Sequence, residues 1–347
     1  MKKIVLCGGG SAGHVIPNIA LLPYLKKHYK EIHYIGTNAI EKDIVKNYPE
    51  IIFHEIKACK LKRSFSLSNL KIPYVLLSSI RESKKILNEI KPNVIFSKGG
   101  YASLPVVFAH QDIPVIAHES DYTLGLANKL ILRKCKKMCF SFEDTANKYK
   151  NKGIFTGSPI RKEITNGNKN RLNLNFDKQK PTILFVGGSL GATTINNTLD
   201  DAFDQLIKKY NIIHIAGKNY KQKNKHKNYV CLTYVNNIED YLDACDMVVS
   251  RSGSNAIYEF LQLNKPMLLI PLPKTSSRGD QILNANNFKN NGYAEILLQE
   301  ELNKDTLINS INNLHHNKNK YIQKMKKTSL KIGNEKIIET ILKYEKK

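Results

Sequence analysis

The stretch Lys3-Ile4-Val5-Leu6-Cys7-Gly8-Gly9-Gly10-Ser11-Ala12-Gly13-His14 decides how this chain is read. Its first half is an apolar, β-branched run of strand length. Its second half is a glycine turn that leads into a helix. Glycine lets a backbone turn sharply and approach a ligand closely. The helix start beyond it offers unpaired N–H groups and a positive dipole end to a phosphate. Gly8-Gly9-Gly10-Ser11-Ala12-Gly13 satisfies the spacing G-x-G-x-x-G of dinucleotide sites. Such a site also needs an acid at the end of the second strand, where this chain has Gly36-Thr37-Asn38. That argues against NAD, and the missing Gly-Lys-Ser/Thr argues against a P-loop. His14 stands at the helix start, at the ligand end of any doubly wound sheet. A histidine there either caps and packs or serves as a general base near neutral pH. The apolar run before Gly8 is too short for the core of a secretory signal and is read as a buried strand.

Outward from this stretch, short apolar runs alternate with helix-like segments. Strands are expected at Lys3–Cys7, His33–Ile35, Val94–Phe96, Val115–Ala117, Met138–Ser141, Thr182–Val186, Ile212–Ile215, Met247–Ser250 and Pro266–Ile270. Amphipathic helices are expected at Ile16–Lys27, Leu76–Glu89, Thr194–Lys209, Asn255–Leu263 and Gln281–Asn290. The alternation predicts an α/β chain with parallel sheets covered by helices on both faces. The polar segment Glu163–Lys180 interrupts it, so a linker is placed near 160–180. One domain then spans 1–160 and a second 161–330, with room for a C-terminal helix at about 330–347 to pack back onto the first. Two Rossmann-like halves joined in this way are expected to enclose a ligand cleft.

The second half opens as the first does, with a strand, a glycine turn (Gly187-Gly188-Ser189-Leu190-Gly191-Ala192) and a helix. A third strand end runs into Ser250-Arg251-Ser252-Gly253-Ser254-Asn255-Ala256-Ile257-Tyr258-Glu259, with serine and glycine suited to a helix start. Glu259 falls about one turn into that helix, where a carboxylate can accept hydrogen bonds from both hydroxyls of a ribose. By default Glu259 is a surface glutamate. Three such turns spread over both halves are harder to explain by packing alone.

Composition narrows the classes. Of 347 residues, 41% are hydrophobic and 24% charged, as in ordinary globular proteins. No apolar run reaches the ~18–20 residues that span a bilayer. The six cysteines form no CxxC pair, which points to reduced, mostly buried thiols and no structural zinc. Lys and Arg number 54 against 30 Asp and Glu, a formal net charge of +24. A lysine- and asparagine-rich background, an anionic membrane surface and a nucleic acid would each produce that excess. No dense basic tract interleaved with aromatics favours the last.

With these turns in place the chain resembles the MurG family of UDP-GlcNAc-dependent transferases, which have the two-domain GT-B fold. The resemblance rests on GGGSAGHVIP at Gly8–Pro17, SKGGYAS at Ser97–Ser103, HESDYTLGLANK at His118–Lys129 and TGSPIR at Thr156–Arg161. It continues in GGSLGA at Gly187–Ala192, SRSGSNAIYE at Ser250–Glu259 and RGDQILN at Arg278–Asn284, all in family order. It implies that Ser189 and its loop hold the donor's phosphates, with Arg161 also touching the donor. Glu259 would bind the ribose, and Val235, Ser254, Asn255, Ala256 and Ile257 would line the uracil and sugar side. Gln281 and Asp280 would meet GlcNAc hydroxyls. Ser11, Ala12 and Gly13 would meet the sugar and the acceptor diphosphate. His14 would be the base, and Gly10, Gly100, Tyr101, Glu119, Asp121 and Asn128 would stand on the acceptor side. Asp121 occupies a position where other branches carry Asn, and Ala12 one where many carry Gly.

The resemblance implies an inverting hexosyltransferase of peptidoglycan biosynthesis. It would move GlcNAc from UDP-GlcNAc to the MurNAc 4-hydroxyl of undecaprenyl-pyrophosphoryl-MurNAc-pentapeptide, converting lipid I to lipid II. No tightly bound cofactor or metal is expected. The lipid acceptor implies a peripheral position on the cytoplasmic face of the cell membrane, and leaves room for other cell-wall enzymes as partners. Lys57–Arg63 followed by Phe65, Leu67, Leu70 and Lys71–Leu77 suits docking on anionic lipid, unless Ile72–Ile80 is an ordinary core helix. Rival readings are another GT-B glycolipid transferase, a UDP-GlcNAc epimerase, an NAD-dependent oxidoreductase and a nucleic-acid-binding protein. The epimerase would need catalytic carboxylates, and the last would have no use for paired glycine turns.

Overall fold

A computed structural model of the chain describes residues 1–58, 72–110, 112–188, 191–328 and 333–346. The chain forms two compact units, Met1–Arg161 with Ile332–Lys347, and Lys162–Lys331. In chain order the first unit contains β1 (Lys3–Cys7), α1 (Ala12–Ala20), α2 (Leu22–Leu25), β2 (Glu31–Gly36), α3 (Ile40–Val45), β3 (Ile51–Glu55) and α4 (Ile72–Ile90). It continues with β4 (Val94–Ser97), α5 (Ser103–Phe108), β5 (Val115–Glu119), α6 (Leu126–Lys134), β6 (Lys137–Phe140), α7 (Glu143–Lys148) and β7 (Gly153–Phe155). Its seven strands are all parallel, in the order β3-β2-β1-β4-β5-β6-β7.

Alternation along β1 explains the two-faced core. Ile4 and Leu6 join a cluster with Val15, Ile19 and Leu25, while Val5 and Cys7 join Leu87, Val106 and Ile131 on the other face. A strand buried on both faces therefore reads as one continuous apolar run. The expected helix at Ile16–Lys27 is two. The first begins at Ala12, inside the glycine turn, and the second carries Pro23 in its opening turn. Proline has no N–H to give to a continuing helix but fits a first turn, so the break falls just before Pro23.

The second unit contains β8 (Thr182–Val186), α8 (Thr193–Lys209), β9 (Asn211–Ile215), β10 (Tyr229–Leu232), α9 (Ile238–Ala244), β11 (Met247–Ser250) and α10 (Ser254–Gln262). After these come β12 (Met267–Leu269), α11 (Asp280–Asn290), β13 (Ala294–Ile296), α12 (Lys304–His316) and α13 (Lys318–Lys326). Six parallel strands run in the order β10-β9-β8-β11-β12-β13. Helix α8 lays Ile195, Leu199, Ala202, Phe203 and Leu206 against Ile183 and Phe185, the i, i+3, i+4 stripe of an amphipathic helix. Both sheets with their covering helices have the GT-B architecture.

The polar segment after Arg161 is pinned rather than loose. Lys162–Asn166 and Lys169–Leu172 form two tight helical turns. Asp240 of α9 accepts from the backbone N–H of Asn168 at 2.7 Å, and Asp243 from that of Lys169 at 2.9 Å. The bond from Asn168, followed by one from the Asn237 side chain, holds the Asp240 carboxyl below the ordinary carboxylate range. The chain's last helix, α14 (Asn334–Tyr344), belongs to the first unit. Asn334 exchanges two hydrogen bonds of 2.8 Å with the backbone of Ile160. Ile337, Ile338 and Ile341 complete the core beside Ile4 and Leu6. Each isoleucine so buried contributes about 1.5–3 kcal/mol.

Candidate active site

In the first unit the candidate residues gather at the C-terminal ends of β1, β4 and β5. Gly10, Gly99 and Gly100 all have positive φ, at +87°, +88° and +80°. A Cβ on Gly100 would lie 2.2 Å from the carbonyl oxygen of Gly9, so the two glycine turns touch backbone to backbone. Gly10 in turn lies under the ring of Tyr101. A carboxylate that the sequence reading passed over, Glu41 of α3, holds the first turn from behind. It is fully buried and accepts from the N–H of Gly10 at 3.3 Å, from the N–H of Thr37 at 3.0 Å and from the Thr37 hydroxyl. Its signal in the sequence was an acid in the first turn of the short helix after β2, a few residues beyond where the search stopped.

Ser11 and His14 open α1. The Ser11 side chain does not cap the helix; its hydroxyl lies 2.9 Å from His14 Nδ1. If Nδ1 carries the proton and donates to Ser11 Oγ, the lone pair sits on Nε2, the form a base requires. Helix α1 carries no acid in its first turn, so its dipole end keeps its positive character for an anion.

Around β5 the structure sorts the acceptor-side candidates. Glu119 and Asn128 are buried. Glu119 accepts from the N–H groups of Asp121 (3.1 Å) and Gly125 (3.0 Å) and from Asn128 Nδ2 (3.0 Å). These two side chains build the loop, and Asp121 is the more accessible member. Burial, then the neighbouring Asp121 charge, push the Glu119 carboxyl up. Beside them lie two more residues whose roles the sequence reading did not reach. Lys98, 2% exposed, donates from Nζ to Ser120 Oγ at 2.6 Å. Buried His118 donates from Nε2 to the Gly157 carbonyl at 3.1 Å, and burial holds it neutral, well below the usual imidazole range.

In the second unit the candidates gather at the ends of β8, β11 and β12. Gly191, with φ of +78°, brings its α-carbon so close to the next turn that a Cβ would lie 2.1 Å from the Ala216 oxygen. For Gly188, with φ of +84°, an added Cβ would meet nothing within 4 Å among the described residues. Ser189 lies outside the described residues. Ser252 Oγ donates to the Gln281 carbonyl at 2.8 Å, and Gln281 Oε1 accepts from the Leu272 N–H at 3.1 Å. The second bond orients the Gln281 amide. Asp280 pairs with Arg278 at 3.5 Å. Ser254 and Ile257 are buried on α10, whereas Asn255, Ala256 and Glu259 are half-buried. Arg251 ties the turn to its neighbours by donating to the carbonyls of Ile270 (3.0 Å) and Pro271 (3.3 Å) and to Gln299 Oε1 (2.6 Å). Val235 lies past the end of β10, on the same edge of the sheet but two strands from β8. Arg161 is the last residue of the first unit before the linker turns and is half-buried.

Comparison with known proteins decides the family. Residues 4–140 match the glycosyltransferase family 28 N-terminal domain, and residues 182–341 its C-terminal domain. The chain is 46% identical, over 353 aligned positions, to a UDP-N-acetylglucosamine--N-acetylmuramyl-(pentapeptide) pyrophosphoryl-undecaprenol N-acetylglucosamine transferase of Clostridium tetani. The alignment covers 99% of this chain and 98% of the relative. The chain belongs to this transferase family, the MurG family. A Clostridium botulinum member of the same name is 48% identical, with 98% of each chain covered. Among solved structures, Acinetobacter baumannii MurG superposes with a TM-score of 0.77 at 20% identity, covering 99% of this chain and all of that one. A glycosyltransferase of kitacinnamycin does so with 0.74 at 13% identity, covering 99% of each. At those identities the superpositions show a common GT-B fold. The MurG-family chain described here is thus an N-acetylglucosamine transferase whose candidate residues lie at the carboxyl ends of its two parallel sheets.

Proposed function

We propose that this chain transfers GlcNAc from UDP-GlcNAc to the MurNAc 4-hydroxyl of lipid I, forming lipid II. The observation that carries the residue-level reading is His14, held by Ser11 on the rim of a glycine turn and helix start. The first unit takes the acceptor through Gly10, Gly100, Tyr101 and Asp121, with Glu119 and Asn128 shaping the loop, while Ser11, Ala12 and Gly13 meet the donor's sugar and the acceptor diphosphate. The second unit takes the donor. Ser189 and the turn before α8 meet its diphosphate, and Glu259 its ribose. Val235 and residues 254–257 line the uracil side, and Asp280 and Gln281 meet the sugar. Arg161 joins the donor contacts.

The acceptor hydroxyl attacks C1 of GlcNAc while the bond from C1 to the UDP oxygen breaks. Configuration at C1 inverts in one displacement. The hydroxyl proton passes to His14, and UDP departs with the bonding electrons. An alkyl hydroxyl is a poor nucleophile, so a positioned base contributes about 10²–10⁴-fold. Charge builds on the leaving diphosphate, where backbone N–H groups and the α8 start are each worth about 2.7–4 kcal/mol when well placed.

Among the described residues no helix is long and apolar enough to cross a membrane. We propose a peripheral mode on the cytoplasmic face. Helix α4 exposes Tyr74 (77%) and Leu77 (57%) near its start, which fits a surface laid on lipid better than an ordinary core helix. Residues 59–71 of the basic and apolar stretch before it lie outside the described residues.

The test is transfer of labelled GlcNAc from UDP-GlcNAc to a short-chain lipid I analogue. Wild type should transfer, Glu259→Ala should weaken use of the donor, and His14→Ala should lower turnover. UDP-GlcNAc binding without transfer to this acceptor would move the acceptor to another glycolipid.

A further inference from the structure

We propose that Lys98 is a positioning residue for the transfer. Its buried ammonium locks the Gly99–Tyr101 turn to the loop after β5 and sets a fixed positive charge beneath the acceptor's diphosphate. The inference rests on the reading above, in which the first unit takes that acceptor.

The geometry places Lys98 against every loop concerned. Its backbone N–H donates to the Cys7 carbonyl at 2.8 Å, which fixes it beside the end of β1. A Cβ on Gly8 would lie 3.1 Å from Lys98 Cβ, so the lysine stem supports the first glycine turn. The next two residues are the left-handed Gly99, packed on the Asn128 side chain, and Gly100, pressed on Gly9. Nζ reaches Ser120, between Glu119 and Asp121. One side chain therefore contacts the first glycine turn and the loop after β5, and its own backbone begins the second turn.

The groups around it keep it charged. Glu119 receives three N–H donors, which favour its carboxylate form against the upward push of burial, and its charge attracts the ammonium. The Asp121 carboxyl adds a second attraction. From β6 the Cys139 thiol, pushed up to about 12 by burial, stays protonated, and His118 stays neutral. Burial lowers the lysine from 10.5 to about 8, so it is mostly ammonium at neutral pH and loses its proton in the mildly alkaline range. A buried ion rarely adds more stability than an apolar side chain of its size. Its use here is electrostatic, because a fixed charge in a low-dielectric setting acts on a nearby anion far more strongly than it would in water.

The experiment measures kcat and KM for a lipid I analogue and for UDP-GlcNAc in the full-length protein from pH about 6.5 to about 10, a range that brackets the Lys98 transition. Wild-type kcat/KM for the acceptor should fall above pH about 8, with the donor KM flat. Lys98→Arg, which cannot lose its charge in this range, should keep neutral-pH activity and abolish the alkaline fall. Lys98→Met should raise the acceptor KM by about tenfold to a hundredfold, the loss of one charge-assisted hydrogen bond, and leave the donor KM alone.

Stability supplies an independent readout of the same titration, while the acceptor-specific KM and the Lys98→Arg pH profile separate a positioning role from a purely structural one. Between pH about 8 and 10.5 the unfolded lysine holds a proton that the folded one lacks, so this group makes the fold more stable as pH rises. Activity should therefore fall while resistance to urea rises. A wild-type acceptor KM in Lys98→Met, or an unchanged alkaline fall in Lys98→Arg, overturns the proposal. If Lys98→Met does not fold, the comparison of wild type with Lys98→Arg decides alone. Failure of wild type to use lipid I at any pH would instead remove the acceptor reading, and this inference with it.

Discussion

The two units begin with the same device, a strand, a glycine turn and a helix, but they back that turn in opposite ways. Behind the turns of the first unit lie the charged groups Lys98, Glu119 and Glu41. Behind the turn of the second lies a neutral chain. Asn196 donates to the Ala216 carbonyl at 2.8 Å, its Oδ1 meets His214 Nε2 at 2.9 Å, and Tyr229 meets His214 Nδ1 at 2.9 Å. Lys98 in the first unit sits near 8 and is charged at neutral pH, whereas His214 in the second is driven down to about 4 and is not. Glycine turns alone give both units an anion-binding shape. The groups behind them decide whether a fixed charge is added to it.

The largest expected effect separates chemistry from donor binding. His14→Ala should lower turnover by about 10²–10⁴-fold, the usual contribution of a general base. It should leave UDP binding, measured by calorimetry, within about twofold of wild type, since a general base contributes to the chemical step rather than to ground-state binding. Equal losses in both would mean that His14 also serves the donor, and the division of labour between the units would break down.

The units also differ in how they are completed. The second is built from one continuous stretch, whereas the first needs α14 from the far end of the chain. Ile341→Ala should cost about 2–5 kcal/mol, because the residue is fully buried and the core can only partly collapse around the gap. Hydrogen exchange should show the loss in β1 and α2 and not in β8 or α8. Uniform loss across both sheets would mean that the two units unfold as one.

A matched pair of glycine variants tests the turns themselves. Gly100→Ala and Gly191→Ala each place a Cβ 2.2 Å or less from a carbonyl oxygen in a left-handed residue. Strain and overpacking together should cost each about 4 kcal/mol. In whatever protein remains folded, the first should impair acceptor use and the second UDP binding. Exchange of those two outcomes would reverse the assignment of the units.

Much of this contrast could be read in the sequence, and the part that could not has a common cause. The nine strands expected from apolar runs are the interior strands of the two sheets. The strands that were not expected, β3, β7, β10 and β13, are the four sheet edges. An interior strand is covered on both faces and is apolar over most of its length, as Val94–Phe96 is within the fully buried strand Val94–Ser97. An edge strand is half wet: Ile51–Glu55 mixes apolar residues with His54 and Glu55, and no residue of Gly153–Phe155 is fully buried. The glycine turns were legible because glycine has few substitutes at positive φ. Lys98 and Glu41 were not, because nothing in a lysine or glutamate codon marks it as buried. That depends on which strands the fold sets side by side.

The smallest expected effect probes the neutral chain behind the second turn. Burial drives His214 from 6.5 to about 4, with a partly opposing pull from Asp200. Between those values the unfolded imidazole holds a proton that the folded one lacks. Stability from this group is therefore present above pH about 6.5 and is lost as pH falls through about 4. The whole swing is up to about 3 kcal/mol. His118 is buried and neutral in the first unit and adds a slope of the same sign, so total stability cannot resolve the two. Exchange protection of α8 and β9 can. Wild type should lose protection there on acidification. His214→Gln keeps a donor for Asn196 and an acceptor for Tyr229 without a titrating group, and should hold its protection flat over the same range. If the glutamine variant loses protection as steeply as wild type, the acid sensitivity of this turn comes from another group and His214 is only a spacer. A flat response would show that the second turn depends on a base kept uncharged, the inverse of what Lys98 does for the first.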